Sequence, residues 1–131
     1  MYFLDTDICS DAIAAHPSVF ARLERLDRDQ WAISSLVAAE LHFGLEKGKL
    51  HERTAEALRK FLTVASVVAF DGDAAIHAAQ IRLEKERRGR PAGAVDQLIA
   101  GHARSLGWTL VTGNLRHFDD ISGLVVESWR T

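Results

Sequence analysis

At 131 residues the chain has enough length for one hydrophobic core and too little for two, so a single domain spanning 1–131 is expected. An apolar fraction of 47% beside 26% charged residues is that of an ordinary globular protein, and no run reaches the ~18 apolar residues of a membrane helix. The formal charge of -2 excludes the strongly basic domain of a nonspecific nucleic-acid binder, and a single cysteine, Cys9, excludes an intrachain disulfide or a cysteine-based zinc site. The opening MYFLDTDICS has an acid at its fifth position and no basic n-region, so no signal peptide is expected and a cytoplasmic location follows by default.

In chain order, short apolar runs alternate with longer helical patterns. Strands are expected at Tyr2-Phe3-Leu4, Trp31-Ala32-Ile33, Val64 to Phe70, Thr109 to Thr112 and Leu124 to Val126, each too short for a helix and bounded by polar or turn residues. Helices are expected at about 7–14, 18–27, 36–47, 52–62, 72–88 and 94–106, the last marked by Val95, Leu98, Ile99, Ala103 and Leu106 on one stripe. Ser35 and Asp71 suit N-caps, and Gly48, Gly89 and Gly107 stand where helices end. Such alternation implies right-handed crossovers and a mostly parallel α/β sheet covered on both faces.

Three carboxylates stand in apolar surroundings. Asp5 follows the first strand directly, at the end of a parallel sheet where ligands bind, although it could equally cap the next helix. Glu40 lies in Leu36-Val37-Ala38-Ala39-Glu40-Leu41-His42-Phe43, sharing a helical face with Leu36, Val37 and Phe43, and is expected to be buried. Asp96 sits in the first turn of a helix, where the dipole favours an acid. Asn114 and Thr112 share the strand-end rim with Asp5, or else form a simple turn. Three carboxylates at one rim can stay ionised together only if cations neutralise them, and hard oxygen ligands favour Mg²⁺ or Mn²⁺. Phosphodiester hydrolysis is the chemistry such a site supports.

These motifs in this order resemble PIN-domain proteins, and in particular the VapC type of bacterial toxin. The resemblance rests on Phe3-Leu4-Asp5-Thr6-Asp7-Ile8, Ile33-Ser34-Ser35, Ala39-Glu40-Leu41, Gly44-Leu45 and Gly89-Arg90-Pro91, continuing through Ala94-Val95-Asp96-Gln97-Leu98-Ile99-Ala100, Thr109 to Asn114, Phe118 and Val126-Glu127-Ser128-Trp129. It implies a PIN-like three-layer fold with a five-stranded parallel sheet of order 3-2-1-4-5 and helices on both faces. It also implies a Mg²⁺-dependent endoribonuclease in which Mn²⁺ can substitute, a homodimer that forms a hetero-oligomer with a VapB-type antitoxin. Asp5 and Asp96 match the metal-binding acids, Glu40 and Asn114 complete the catalytic set, and Thr6 and Thr112 match supporting hydroxyls. Two positions depart from the family pattern: Asp7 stands where many relatives carry Asn, and Asn114 where many carry an acid, with Asp119 and Asp120 near enough in sequence to be considered as substitutes.

Two other readings compete. Phe3-Leu4-Asp5-Thr6-Asp7 also resembles the opening of a haloacid-dehalogenase-like phosphatase, but that scheme leaves Glu40 and Asp96 unexplained and lacks a lysine at a strand end beyond Lys85. A degenerate PIN domain that binds without cleaving would have no use for three such acids. The histidines, among them His42, His77, His102 and His117, lack an i,i+4 partner and read as core or surface residues. The basic group Arg82, Lys85, Arg87, Arg88 and Arg90 reads as a solvated helix end, or alternatively as an edge that holds RNA phosphates.

Overall fold

The computed structural model describes residues 1–130. Its five strands, β1 (Tyr2–Leu4), β2 (Trp31–Ser34), β3 (Val67–Val68), β4 (Thr109–Val111) and β5 (Val126–Glu127), form one sheet in the order β3-β2-β1-β4-β5. Every neighbouring pair is parallel, with Tyr2 opposite both Trp31 and Thr109. All four residues of β2 are buried, and since alternate strand residues point to opposite faces, both faces of the sheet are covered. The covering elements are α1 (Thr6–Ile13), α2 (Pro17–Glu24), α3 (Ser35–Glu46), α4 (Glu52–Val64), α5 (Gly72–Arg87), α6 (Ala94–Leu106) and the short α7 (Leu115–Phe118). The fold class, the strand order and the six longer helices are those expected from the sequence.

The differences have local causes. The apolar run from Val64 to Phe70 gives only two strand residues: α4 continues through Val64, and pairing with β2 is confined to Val67 and Val68. The cap of α3 is Ser34, whose hydroxyl accepts the Leu36 N–H at 3.1 Å, whereas Ser35 reaches across to accept the Phe70 N–H at 3.0 Å. The helix expected over 18–27 stops at Glu24, and Asp27 with Gln30 caps a separate 3-10 turn instead. Chain order along the sheet reverses between β1 and β4, so the crevice beyond their carboxyl ends is the place where an open parallel sheet binds its ligand.

The tightest helix contact, between α5 and α6, holds the helix that carries Asp96. A Cβ on Gly101 would lie 2.5 Å from the backbone N and Cα of Ala78, leaving no room for any side chain. Gly101→Ala should therefore destabilise the protein by about 1–3 kcal/mol through overpacking, read as a lower midpoint in chemical denaturation. An unchanged midpoint would mean that these two helices separate freely.

Candidate active site

Asp5 leaves β1 with its backbone N–H bonded to the Val111 carbonyl at 2.9 Å, which continues the β1–β4 ladder by one residue. Its carboxylate accepts the Thr6 N–H at 2.8 Å and the Thr112 hydroxyl at 2.9 Å, so it caps α1 and faces the crevice at once. Only 7% of the residue is exposed. Burial is the main reason that its pKa rises from 3.8 to about 6; the Asp7 charge adds to the rise, the Thr112 and Thr6 hydrogen bonds oppose it, and Asp96 contributes a smaller push upward.

A cleft of about 330 Å³ opens here, lined by Asp5, Thr6, Asp7, Glu40, Val95, Asp96, Ile99 and Asn114. All four residues expected to be catalytic thus line one cleft, and the supporting hydroxyls border it: Thr6 in the lining, Thr112 through its bond to Asp5. Asp96 is partly buried in the first turn of α6, and its Oδ2 lies 3.0 Å from Nδ1 of His117. His117 is therefore part of the site's surroundings; nothing in its sequence neighbourhood announces this, because α7 brings it in from a short segment with no periodic signal.

Glu40 overturns one expectation. It reaches the cleft, but from the exposed side of α3, and forms no ion pair among the described residues. Phe43, one helical turn away, is 64% exposed, so the apolar stretch around Glu40 does not mark a buried face. Asn114 is also exposed; its backbone N–H donates to the Thr112 hydroxyl at 3.0 Å, which links it to Asp5 through that threonine.

The two departures from the family pattern resolve differently. Asp7 accepts the Gly113 N–H at 2.9 Å and sits 3.7 Å from the Arg130 guanidinium, which also bonds Asp11 at 2.6 Å. The additional acid thus arrives with a cation of its own. A Cβ at Gly113 would displace the Arg130 guanidinium and the Asp7 carboxylate from their present positions. Asp120 cannot substitute for an acid at position 114: it turns to Lys85 at 2.5 Å and to Arg90 at 3.3 Å, outside the cleft. Lys85 is 3% exposed, which removes it from the solvated helix end the sequence suggested.

The chemistry of this cleft suits a hard cation. Its donors are carboxylate, amide and hydroxyl oxygens, and two of them, Thr6 Oγ1 and Asp7 Oδ1, are buried without a hydrogen-bond partner. Among the described residues no three acidic, histidine or cysteine side chains converge on one point, so Asp5, Glu40 and Asp96 line one cleft without the close meeting at one rim expected from the sequence.

The raised pKa of Asp5 has a defined stability signature. Folded protein keeps a proton that the unfolded chain releases between about pH 4 and pH 6, so this contribution is complete below pH 4 and is lost as pH rises through 6. In chelator at about pH 7.5, Asp5→Asn should melt higher than the parent, by on the order of 2 kcal/mol, with the difference closing near pH 4. Equal melting temperatures at the higher pH would contradict the burial assigned to this carboxylate.

Comparison with known proteins identifies the family. Residues 2–124 match the model of the PIN domain. The tRNA(fMet)-specific endonuclease VapC of Shigella flexneri is 41% identical over 98% of this chain and 97% of its own length, and the ribonuclease VapC2 of Rickettsia felis is 39% identical over 98% of both. Among solved structures, VapBC2 of Rickettsia felis bound to a promoter DNA fragment superposes with a TM-score of 0.87 at 38% identity, covering 98% of each chain. DNA-bound VapBC of Salmonella typhimurium gives 0.87 at 40% identity, covering 98% of this chain and 97% of that one. With its sheet order, its acid-lined crevice and these relatives in accord, the chain belongs to the PIN-domain family, among the VapC-type proteins.

Proposed function

We propose that this protein is a divalent-metal-dependent endoribonuclease, the toxin of a toxin–antitoxin pair, with Asp5, Glu40, Asp96 and Asn114 as its active site. The observation that carries the reading is Asp5, an acid buried at the sheet's switch point in one cleft with three further carboxylates, Asp7, Glu40 and Asp96. Asp5 and Asp96 would hold Mg²⁺ or Mn²⁺ directly. The bound ion would supply a polarised water and neutralise charge on the phosphodiester, giving a 5′-phosphate and a 3′-hydroxyl.

The remaining work falls to the chain's own side chains. The Thr112 hydroxyl fixes the rotamer of Asp5, and its Oγ1 also receives the Asn114 N–H, so strand β4 sets both residues together. His117 holds Asp96 by the same logic from the opposite side. Glu40, exposed at the mouth, is free to accept a proton from the attacking water at its carboxylate. Asn114 offers an amide carbonyl to a water or a second ion. Thr6 Oγ1, unpartnered beside Asp5, is a ready donor to an ordered water.

Two of the relatives are named for tRNA(fMet), which makes a structured tRNA the first substrate to test. Solved relatives are toxin–antitoxin complexes, and this chain has a groove that suits an antitoxin segment. That groove, about 390 Å³, runs between α1, α2 and α4 over Phe20, Leu23, Trp31, Phe61 and Val64, with Arg28 and Lys60 at its edge. Its apolar floor fits an amphipathic helix of a VapB-type antitoxin. A toxin homodimer within the hetero-oligomer belongs to the same reading. No helix among the described residues is long and apolar enough to cross a membrane, and a cytoplasmic location belongs to the same reading. The phosphatase reading fails on the family and on Lys85, which is locked to Asp120 away from Asp5.

Asp5→Asn and Asp96→Asn should abolish RNA cleavage while the fold is retained. Glu40→Gln should slow the chemical step on the order of 100-fold and, because the side chain is exposed, change stability by less than about 0.5 kcal/mol. EDTA should stop cleavage and Mn²⁺ restore it. Full activity of Asp96→Asn, or full activity in chelator, would overturn this assignment.

A further inference from the structure

Beside the acidic cleft lies a second cavity, of about 220 Å³, of opposite character. Its lining is Lys85, Arg90, Pro91, Ala92, Gly93, Arg116 and His117, with no carboxylate among them. The two cavities meet at the start of α6. Gly93 borders the basic one and Asp96 the acidic one, and a Cβ on Gly93 would lie 3.9 Å from Asp96 Oδ2. His117 spans the boundary, lining the basic cavity while its Nδ1 bonds Asp96 at 3.0 Å.

The cations around this cavity are not equally available. Lys85 is buried and donates to the His117 carbonyl at 3.1 Å and to Asp120 at 2.5 Å, so it builds the floor. Arg90 is 3.3 Å from Asp120 but retains an exposed guanidinium. Arg116 is exposed and makes no hydrogen bond or ion pair through its side chain among the described residues. Gly93, the cap residue of α6, lies on the wall of this cavity, while Val95 and Asp96 in the first turn of that helix line the acidic cleft. By contrast, two of the basic residues at the end of α5 are paired: Arg82 with Glu86 at 3.3 Å, and Arg88 with Glu84 at 2.9 Å. An unpaired arginine and a second, half-paired one around a hollow with no carboxylate in its lining select an oxyanion.

We propose that this cavity binds a backbone phosphate of the RNA next to the one being cleaved, with Arg116 as its main ligand and Arg90 in support. The assignment rests on the ribonuclease reading above and deepens it: the acidic cleft holds the scissile phosphate through a cation, and the basic cavity holds its neighbour directly. Two adjoining sites of opposite charge would fix the direction of the strand across the crevice. They would also explain how a chain with a formal charge of -2 retains RNA.

The test is a double perturbation on full-length protein. Binding of a short substrate RNA is measured in chelator by fluorescence anisotropy, for wild type, Arg116→Gln and Arg116→Lys. The RNAs carry a single methylphosphonate, which removes one phosphate charge at a time on either side of the mapped cleavage position. Arg116→Gln should weaken binding of unmodified RNA about tenfold and reduce the salt slope by about 0.7, with Arg116→Lys intermediate. Cleavage should show the loss in KM and not in kcat. At one flanking position, the methylphosphonate should cost wild type about as much and cost Arg116→Gln nothing further. If the two losses multiply at every position, or if Arg116→Gln binds and cleaves as wild type does, the phosphate site is wrong while the ribonuclease reading stands. If wild type neither binds nor cleaves RNA, both fall.

Discussion

Asp5 is fixed from three directions: its N–H completes the β1–β4 ladder, the Thr6 N–H anchors one carboxylate oxygen, and the Thr112 hydroxyl anchors the other. None of these contacts supplies a full positive charge. A carboxylate placed so deeply, with Asp7 and Asp96 near it, is held ionised at neutral pH against both burial and repulsion. Strand order creates this difficulty. Only where the chain order along the sheet reverses, between β1 and β4, does a crevice open beyond the carboxyl ends of the strands, and Asp5 stands at that point largely shielded from water. The fold supplies the position, and the negative charge it leaves unbalanced is what a bound cation would neutralise.

Charge around the crevice is distributed rather than cancelled. Arg130 balances Asp7 and Asp11 at one edge. At the other, Lys85 is buried against Asp120, and burial would be costly for either partner without the other. Asp120 is held below the usual carboxylate range, chiefly by its hydrogen bond from Lys85, with the Lys85 and Arg90 charges adding to the effect. Because Lys85 also binds the His117 carbonyl, this pair ties α5 to α7 and so sets where the His117 ring meets Asp96. The centre between these two edges is left net acidic. A surface of alternating sign along one crevice suits a substrate that carries repeated negative charges and meets a divalent ion at one of them.

Much of this was legible in the chain. Asp5, Asp96 and Asn114 stand at strand ends or helix starts whose positions follow from short apolar runs and their spacing, and these residues share a cleft. Periodicity gave the helices because their apolar stripes are long. It failed where the stripe was not a guide to depth: Ala39, Glu40 and Phe43 lie on an exposed part of α3 although their neighbours in sequence are apolar. It also failed for β3, since a run of valines and alanines carries no mark of where a helix stops and a strand begins. His117, Lys85 and Arg130 were beyond reach for another reason. Each acts through a residue more than 20 positions away, and the pairing exists only once α5, α7 and the C-terminal segment have packed.

The central claim is that Asp5 and Asp96 together form a cation site created by unbalanced buried charge. Its most direct test is calorimetric titration of Mn²⁺ into the RNA-free protein at neutral pH, alongside Asp5→Asn and Asp96→Asn. The account predicts saturable binding by wild type that both substitutions weaken by an order of magnitude or more, with each variant still folded. Wild type that binds no Mn²⁺, or variants that bind it as tightly as wild type, would contradict the account.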